Sequence, residues 1–114
     1  MLGGLINTAG AYNDGNWHMM VATMGPAAPA GMRLYVDGVL QASDPNTTSE
    51  TFLNPGYWRF GCGNLSGWGA ATTWTGPNAP ATQANVALQG SLDEVAVYHS
   101  QLTAAQIAFL FWIR

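Results

Sequence analysis

The chain has 114 residues, enough for one small domain, and its 48% hydrophobic and 8% charged composition, with 14 Gly, 6 Pro and 5 Trp, excludes a disordered tail, a coiled coil and a collagen-like repeat. Its cations are Arg33, Arg59 and Arg114 and its net charge is -3, so no basic stripe exists to neutralise a run of phosphates, which argues against a nucleic-acid partner. A single cysteine, Cys62, cannot close an intrachain disulfide, and with two histidines it cannot build a structural zinc site.

Residues 1–8 read as a short apolar strand. Residues 1–4 show neither a basic n-region nor a long apolar h-region, so nothing in that stretch encodes export. Asn13-Asp14-Gly15-Asn16 is a turn cluster, because its residue types tolerate left-handed conformations. A strand is predicted over residues 17–24, with Trp17, Met19 and Val21 on one face and His18, Met20, Ala22 and Met24 on the other. Both faces are fairly apolar, as in a central strand covered on two sides. The Gly- and Pro-rich residues 25–31 form a loop.

Met32, Leu34 and Val36 alternate with Arg33, Tyr35 and Asp37, and Asp37-Gly38 before Val39-Leu40 is the signal of a two-residue hairpin turn. Residues 43–50 are a polar connection. Residues 57–62 form a third strand with Trp58, Phe60 and Cys62 on one face, which predicts a buried, inert Cys62 thiol. Residues 63–84 make a loop long enough to suggest a purpose.

Val86 and Leu88 precede Gly90, and the spacing of Leu92, Val95 and Val97 breaks strict alternation at Asp93-Glu94, which predicts a β-bulge. Thr103-Ala104-Ala105-Gln106 fits a capping box and predicts a short helix from Thr103 to about Trp112. The longest apolar run, residues 108–113, is too short to cross a bilayer. Trp17, Leu34, Val36, Phe60, Leu92, Val95 and Val97 are the predicted core, filling the space between two sheets.

Taken in order, Asp14-Gly15-Asn16-Trp17-His18, Leu34-Tyr35-Val36-Asp37-Gly38, residues 90–98 (GSLDEVAVY), Leu102-Thr103 and Ile107 form a distinctive series. Over roughly residues 13–110 this series resembles the second half of a laminin-G-like, concanavalin A-like jelly-roll domain. The resemblance implies an all-β antiparallel sandwich with one short C-terminal helix, whose members bind carbohydrates, glycoproteins or other proteins, sometimes with a calcium ion. It also implies an extracellular or cell-surface setting. Such domains carry several more strands before the tryptophan strand, whereas only residues 1–11 precede it here. Residues 1–114 therefore read as a single laminin-G-like domain or as the C-terminal half of one.

Glycan hydrolysis needs two carboxyl groups facing each other across the scissile bond. Asp93 and Glu94 are neighbours in a predicted strand and point to opposite faces unless the bulge re-aims one. The alternating acid cluster of catalytic relatives, two Glu flanking an Asp, is absent, so a noncatalytic module is expected. His18 and His99 are the candidate bases of a nucleophilic site; His18 matches a histidine common at that place in the family, which favours a structural hydrogen bond. Asp93 is the family-implied candidate calcium ligand, with capping of a backbone amide at the bulge as the alternative.

Carbohydrate recognition uses an aromatic face against the apolar side of a sugar ring, with polar side chains reading the hydroxyls. Trp68 and Trp74 lie among Asn64, Ser66, Thr72, Thr73 and Asn78, and Tyr57 stands on the strand face opposite Trp58 and Phe60. Trp68 and Trp74 either stack on a sugar or pin the loop to the body. Two glycosylation patterns, at Asn46 and Asn64, matter only in a eukaryotic secretory route. Carbohydrate or glycoprotein is thus the first partner class. The competing reading is an assembly module, a homodimer or one half of a complementing pair, joined through open sheet edges and a helix apolar on most sides.

Overall fold

A computed structural model of the chain describes residues 6–26, 29–48, 58–63 and 86–114. The chain divides into two compact units. One comprises Ile6–Glu50 and Tyr98–Arg114, the other Met1–Leu5 and Thr51–Val97.

In the first unit β1 (Met20–Gly25), β2 (Gly31–Val36) and β3 (Val39–Asp44) form an antiparallel sheet in the order β1-β2-β3. The predicted two-residue turn is present: Val36 pairs with Val39, and Asp37 and Gly38 have φ of 51° and 78°, the left-handed pair that a type I′ turn requires. The central strand is β2, not the one predicted over residues 17–24. Tyr35 and Val36 point to opposite faces and both are buried, so the two-sided cover falls on β2 near the turn.

The strand β1 also starts three residues later than predicted. The Met19 N–H donates to the Asp37 carboxylate at 3.0 Å instead of to a ladder carbonyl, and regular pairing begins at Met20 opposite Val36. Strand β3 runs on to Asp44 and contains a bulge invisible in the alternation. Leu34 pairs with Ala42 and Tyr35 with Leu40, leaving Gln41 as the extra residue. Asp44 then ends the strand, its carboxylate accepting from the Asn46 N–H at 2.9 Å and the Thr47 hydroxyl at 2.7 Å. These two bonds, the Thr47 hydroxyl first, hold the Asp44 carboxyl below its ordinary value.

Helix α1 (Ala104–Trp112) has the predicted capping box: Gln106 N–H donates to Thr103 Oγ1, and Thr103 N–H donates to Gln106 Oε1 at 2.8 Å. Ile107 is its fully buried residue and completes, with Tyr35 and Val36, the described apolar core. The helix C-terminal turn packs on the hairpin. A Cβ at Gly38 would lie 3.4 Å from both Ala108 Cα and Phe111 Cβ.

In the second unit β4 (Cys62–Gly63) pairs antiparallel with β5 (Val86–Ala87), and Leu88 N–H donates to the Gly61 carbonyl. Two expectations fail here. Cys62 is exposed rather than buried, because the strand is only two residues long and leaves Trp58 and Phe60 exposed beside it in the sequence. Residues 91–98 form no strand, so the predicted bulge is instead an isolated left-handed residue, Glu94, with φ 50°.

The predicted core is correspondingly smaller. Val36 is buried and Leu34 half-buried, while Trp17, Phe60, Leu92, Val95 and Val97 are exposed, Trp17 by 64%. Alternation identifies which side chains share a face, but burial requires a second layer over that face, and the pattern carries no information on that layer.

Candidate functional site

The most developed polar constellation grows from the Asp14-Gly15-Asn16 turn. Gly15 takes φ 84°, and Asn16 N–H donates to Asp14 Oδ1 at 2.9 Å, an Asx-turn that holds the carboxylate towards His18. The same oxygen lies 3.0 Å from His18 Nε2. On the other side of the ring, His18 Nδ1 lies 2.7 Å from Asp37 Oδ2 in the hairpin turn. Asp37 is in turn fixed by the backbone: its N–H donates to the Met19 carbonyl at 2.9 Å, and its Oδ1 accepts from the Met19 N–H. Arg114, beyond α1, places Nη2 3.7 Å from Asp37 Oδ1 and stacks its guanidinium 4.1 Å over the Phe111 ring. The Tyr12 ring meets the imidazole edge-on at a centroid distance of 5.2 Å.

Ionised carboxylates only accept, so both ring nitrogens of His18 must donate, which only the imidazolium can do. The electrostatics agree. Hydrogen bonds to Asp37 first and Asp14 second raise His18 above its ordinary value. Asp14 is lowered to about 2, chiefly by the backbone and side chain of Asn16 and then by His18. Partial burial pushes Asp37 upward, but the bonds from His18 and Met19 and the charges of His18 and Arg114 outweigh it and leave the carboxyl below its ordinary value.

This arrangement fastens three segments together. A general base needs a ring nitrogen free to take a proton, and both nitrogens of His18 are engaged. The expectation of a structural hydrogen bond at His18 is met, and twice over. The signal for its partners was an acid four residues before the histidine and another at the first position of the hairpin turn.

Of the residues proposed from sequence for ligand binding, Tyr57, Asn64, Trp68, Trp74 and Asn78 lie outside the described residues. Asp93 is described and exposed, and its Oδ1 accepts from the Glu94 N–H at 2.8 Å. That contact is an amide-capping role. Calcium takes six to eight oxygens, backbone carbonyls among them, and among the described residues no group of three His, Cys, Asp or Glu side chains converges on one point.

A laminin-G-like family model, described as the Concanavalin A-like lectin/glucanases superfamily, matches residues 4–108. The chain belongs to that superfamily. Its antiparallel sheet and single short C-terminal helix are consistent with a partial concanavalin A-like β-sandwich, and membership suggests a binding module. No curated protein and no solved structure matches the chain. Among the described residues, no helix is long and apolar enough to cross a membrane.

Proposed function

We propose that this chain is a noncatalytic module that binds carbohydrate or the glycan of a glycoprotein. The observation that carries the reading is the match to a superfamily of lectins and glucanases, taken together with what three of its six acids do. A glucanase needs one carboxyl held protonated at working pH, which requires an upward shift. Asp14, Asp37 and Asp44 are all shifted downward and all committed to hydrogen bonds within the fold. That commitment withdraws these three acids from the proton-donor role of a glucanase.

Trp74 and Trp68 supply the stacking faces in this reading, with Tyr57, Asn64 and Asn78 providing further contacts and reading hydroxyls. Stacking and hydrogen bonding of this kind need no metal. Applying the intact chain to an array of glycans tests the proposal. Retention on a defined group of glycans, recovered with unchanged mass, is expected; cleavage products would contradict it.

A second reading is favoured by one observation. On α1, the exposed Phe109 lines an open apolar groove with Tyr98, Leu102, Ala105, Gln106 and Leu110, and Trp112 on the same helix is 83% exposed. An assembly module would use that face to bind a second copy or a complementing chain. Light scattering over a dilution series tests the second-copy form: a constant monomer mass removes it and leaves glycan binding untouched.

A further inference from the structure

A histidine between two carboxylates is a conditional fastener, because its capacity to hold both depends on a proton. The His18 side chain is only 17% exposed and uses Nε2 for Asp14 and Nδ1 for Asp37. A neutral imidazole carries one N–H and one lone pair, so it can satisfy one carboxylate and must turn a lone pair towards the other. We propose that Asp14, His18 and Asp37 form a proton-operated latch, which holds residues 12–16 against the hairpin turn when His18 is charged and releases them when it is neutral.

The geometry assigns which contact gives way. The bond to Asp37 is the shorter, 2.7 Å against 3.0 Å, and Asp37 is the less exposed partner, 29% against 52%. Asp37 is also anchored without His18, through its paired bonds with the Met19 backbone and through Arg114. The proton remaining on neutral His18 therefore stays on Nδ1, and Nε2 presents its lone pair to Asp14 Oδ1. Asp14 sits on an exposed turn and can be hydrated at little cost, so the turn moves away and takes with it the edge contact of Tyr12. The β1–β2 pairing remains, since its ladder starts beyond the latch at Met20.

The groups facing the imidazole determine the direction of the response. Asp14 in the preceding turn and Asp37 in the hairpin both favour the proton. Arg114 opposes it only through Asp37, and Tyr12 presents a ring edge. Raised above 6.5, His18 contributes stability that is complete below that value and disappears as pH rises through its folded value. Asp14, lowered from 3.8 to about 2, contributes stability that is present above 3.8 and lost as pH falls towards 2. The latch is thus fully closed between those limits, in mildly acidic solution, and opens on the alkaline side.

The test follows the imidazole proton signals and the amide signals of Gly15, Asn16 and His18 by NMR, alongside urea unfolding, from about pH 5 to about pH 9. His18 should titrate above 6.5, the ordinary value, and the three amides should shift with the same midpoint while amides within β2 stay still. The folding equilibrium should weaken by a factor of about ten for each pH unit by which His18 is raised. His18→Gln should abolish that pH dependence. Asp14→Asn, which keeps an acceptor oxygen and so the turn, should lower the His18 midpoint and move the stability loss to lower pH by the same amount. A midpoint at or below the ordinary value, amides that do not follow His18, or an Asp14→Asn profile identical to the original would overturn the latch.

Discussion

His18 and Asp37 are 19 positions apart in the chain and 2.7 Å apart in the fold. That contact joins the turn before β1 to the turn between β2 and β3, and through Arg114 it reaches the end of α1. Two of the short motifs that mark the family therefore meet at one ion pair. Their residue types follow from that meeting, since the turn needs positive φ and the histidine needs an acceptor.

Asp37 serves four groups: His18, both backbone groups of Met19, and Arg114. Asp37→Ala leaves the part-buried Met19 N–H without its acceptor and should destabilise the fold by about 0.5–1.5 kcal/mol, the net worth of a typical hydrogen bond. Asp37→Asn keeps an oxygen for Met19 and tolerates φ of 51°, so it should lose less stability. Urea unfolding at constant pH ranks the two variants. Equal losses would mean that the Met19 bond contributes nothing.

Three of the four described glycines with positive φ, Gly15, Gly38 and Gly31, differ in their surroundings, which predicts a graded response to alanine. At Gly15, φ 84°, an added Cβ meets nothing within 4 Å, so only left-handed strain arises, roughly 1–2 kcal/mol. At Gly38 the Cβ also presses on Ala108 and Phe111 at 3.4 Å. At Gly31 it overlaps the Asp44 carbonyl oxygen and lies 2.5 Å from Pro45 Cα, both backbone. Melting temperatures should therefore fall in the order Gly15→Ala, Gly38→Ala, Gly31→Ala, with the last the most damaging. Gly38→Val should destabilise further without altering ligand preference in the folded fraction.

The helix offers a contrast between capping and burial. Thr103→Ala removes the N-cap and should cost about 1 kcal/mol. Ile107, fully buried, should cost about 2–5 kcal/mol on truncation to alanine. Phe109→Ala, at an exposed position, should change stability by about 0.5 kcal/mol or less. A large loss at Phe109 that varies with protein concentration would favour the assembly reading.

What the sequence made legible was local chemistry. The Asp37-Gly38 turn and the Thr103–Gln106 capping box each depend on residues within four positions of one another, and both stand as read. What it concealed depends on distant partners. Gln41 bulges because of its pairing across β2, Trp17 is exposed although its alternation looks apolar, and the carboxylates of His18 come from two separate turns. Leu92, Val95 and Val97 show the same limit: their spacing suits a strand, but a strand exists only where a partner accepts its hydrogen bonds.

Calorimetric titration of an array-selected glycan into the intact chain and into Trp74→Ala, with the glycan's mass determined afterwards, tests the proposed function most directly. Saturable binding, a loss of about 1–3 kcal/mol in Trp74→Ala at nearly unchanged melting temperature, and a glycan recovered whole are the expected results. Affinity unchanged in Trp74→Ala, or a glycan recovered in pieces, would contradict that function.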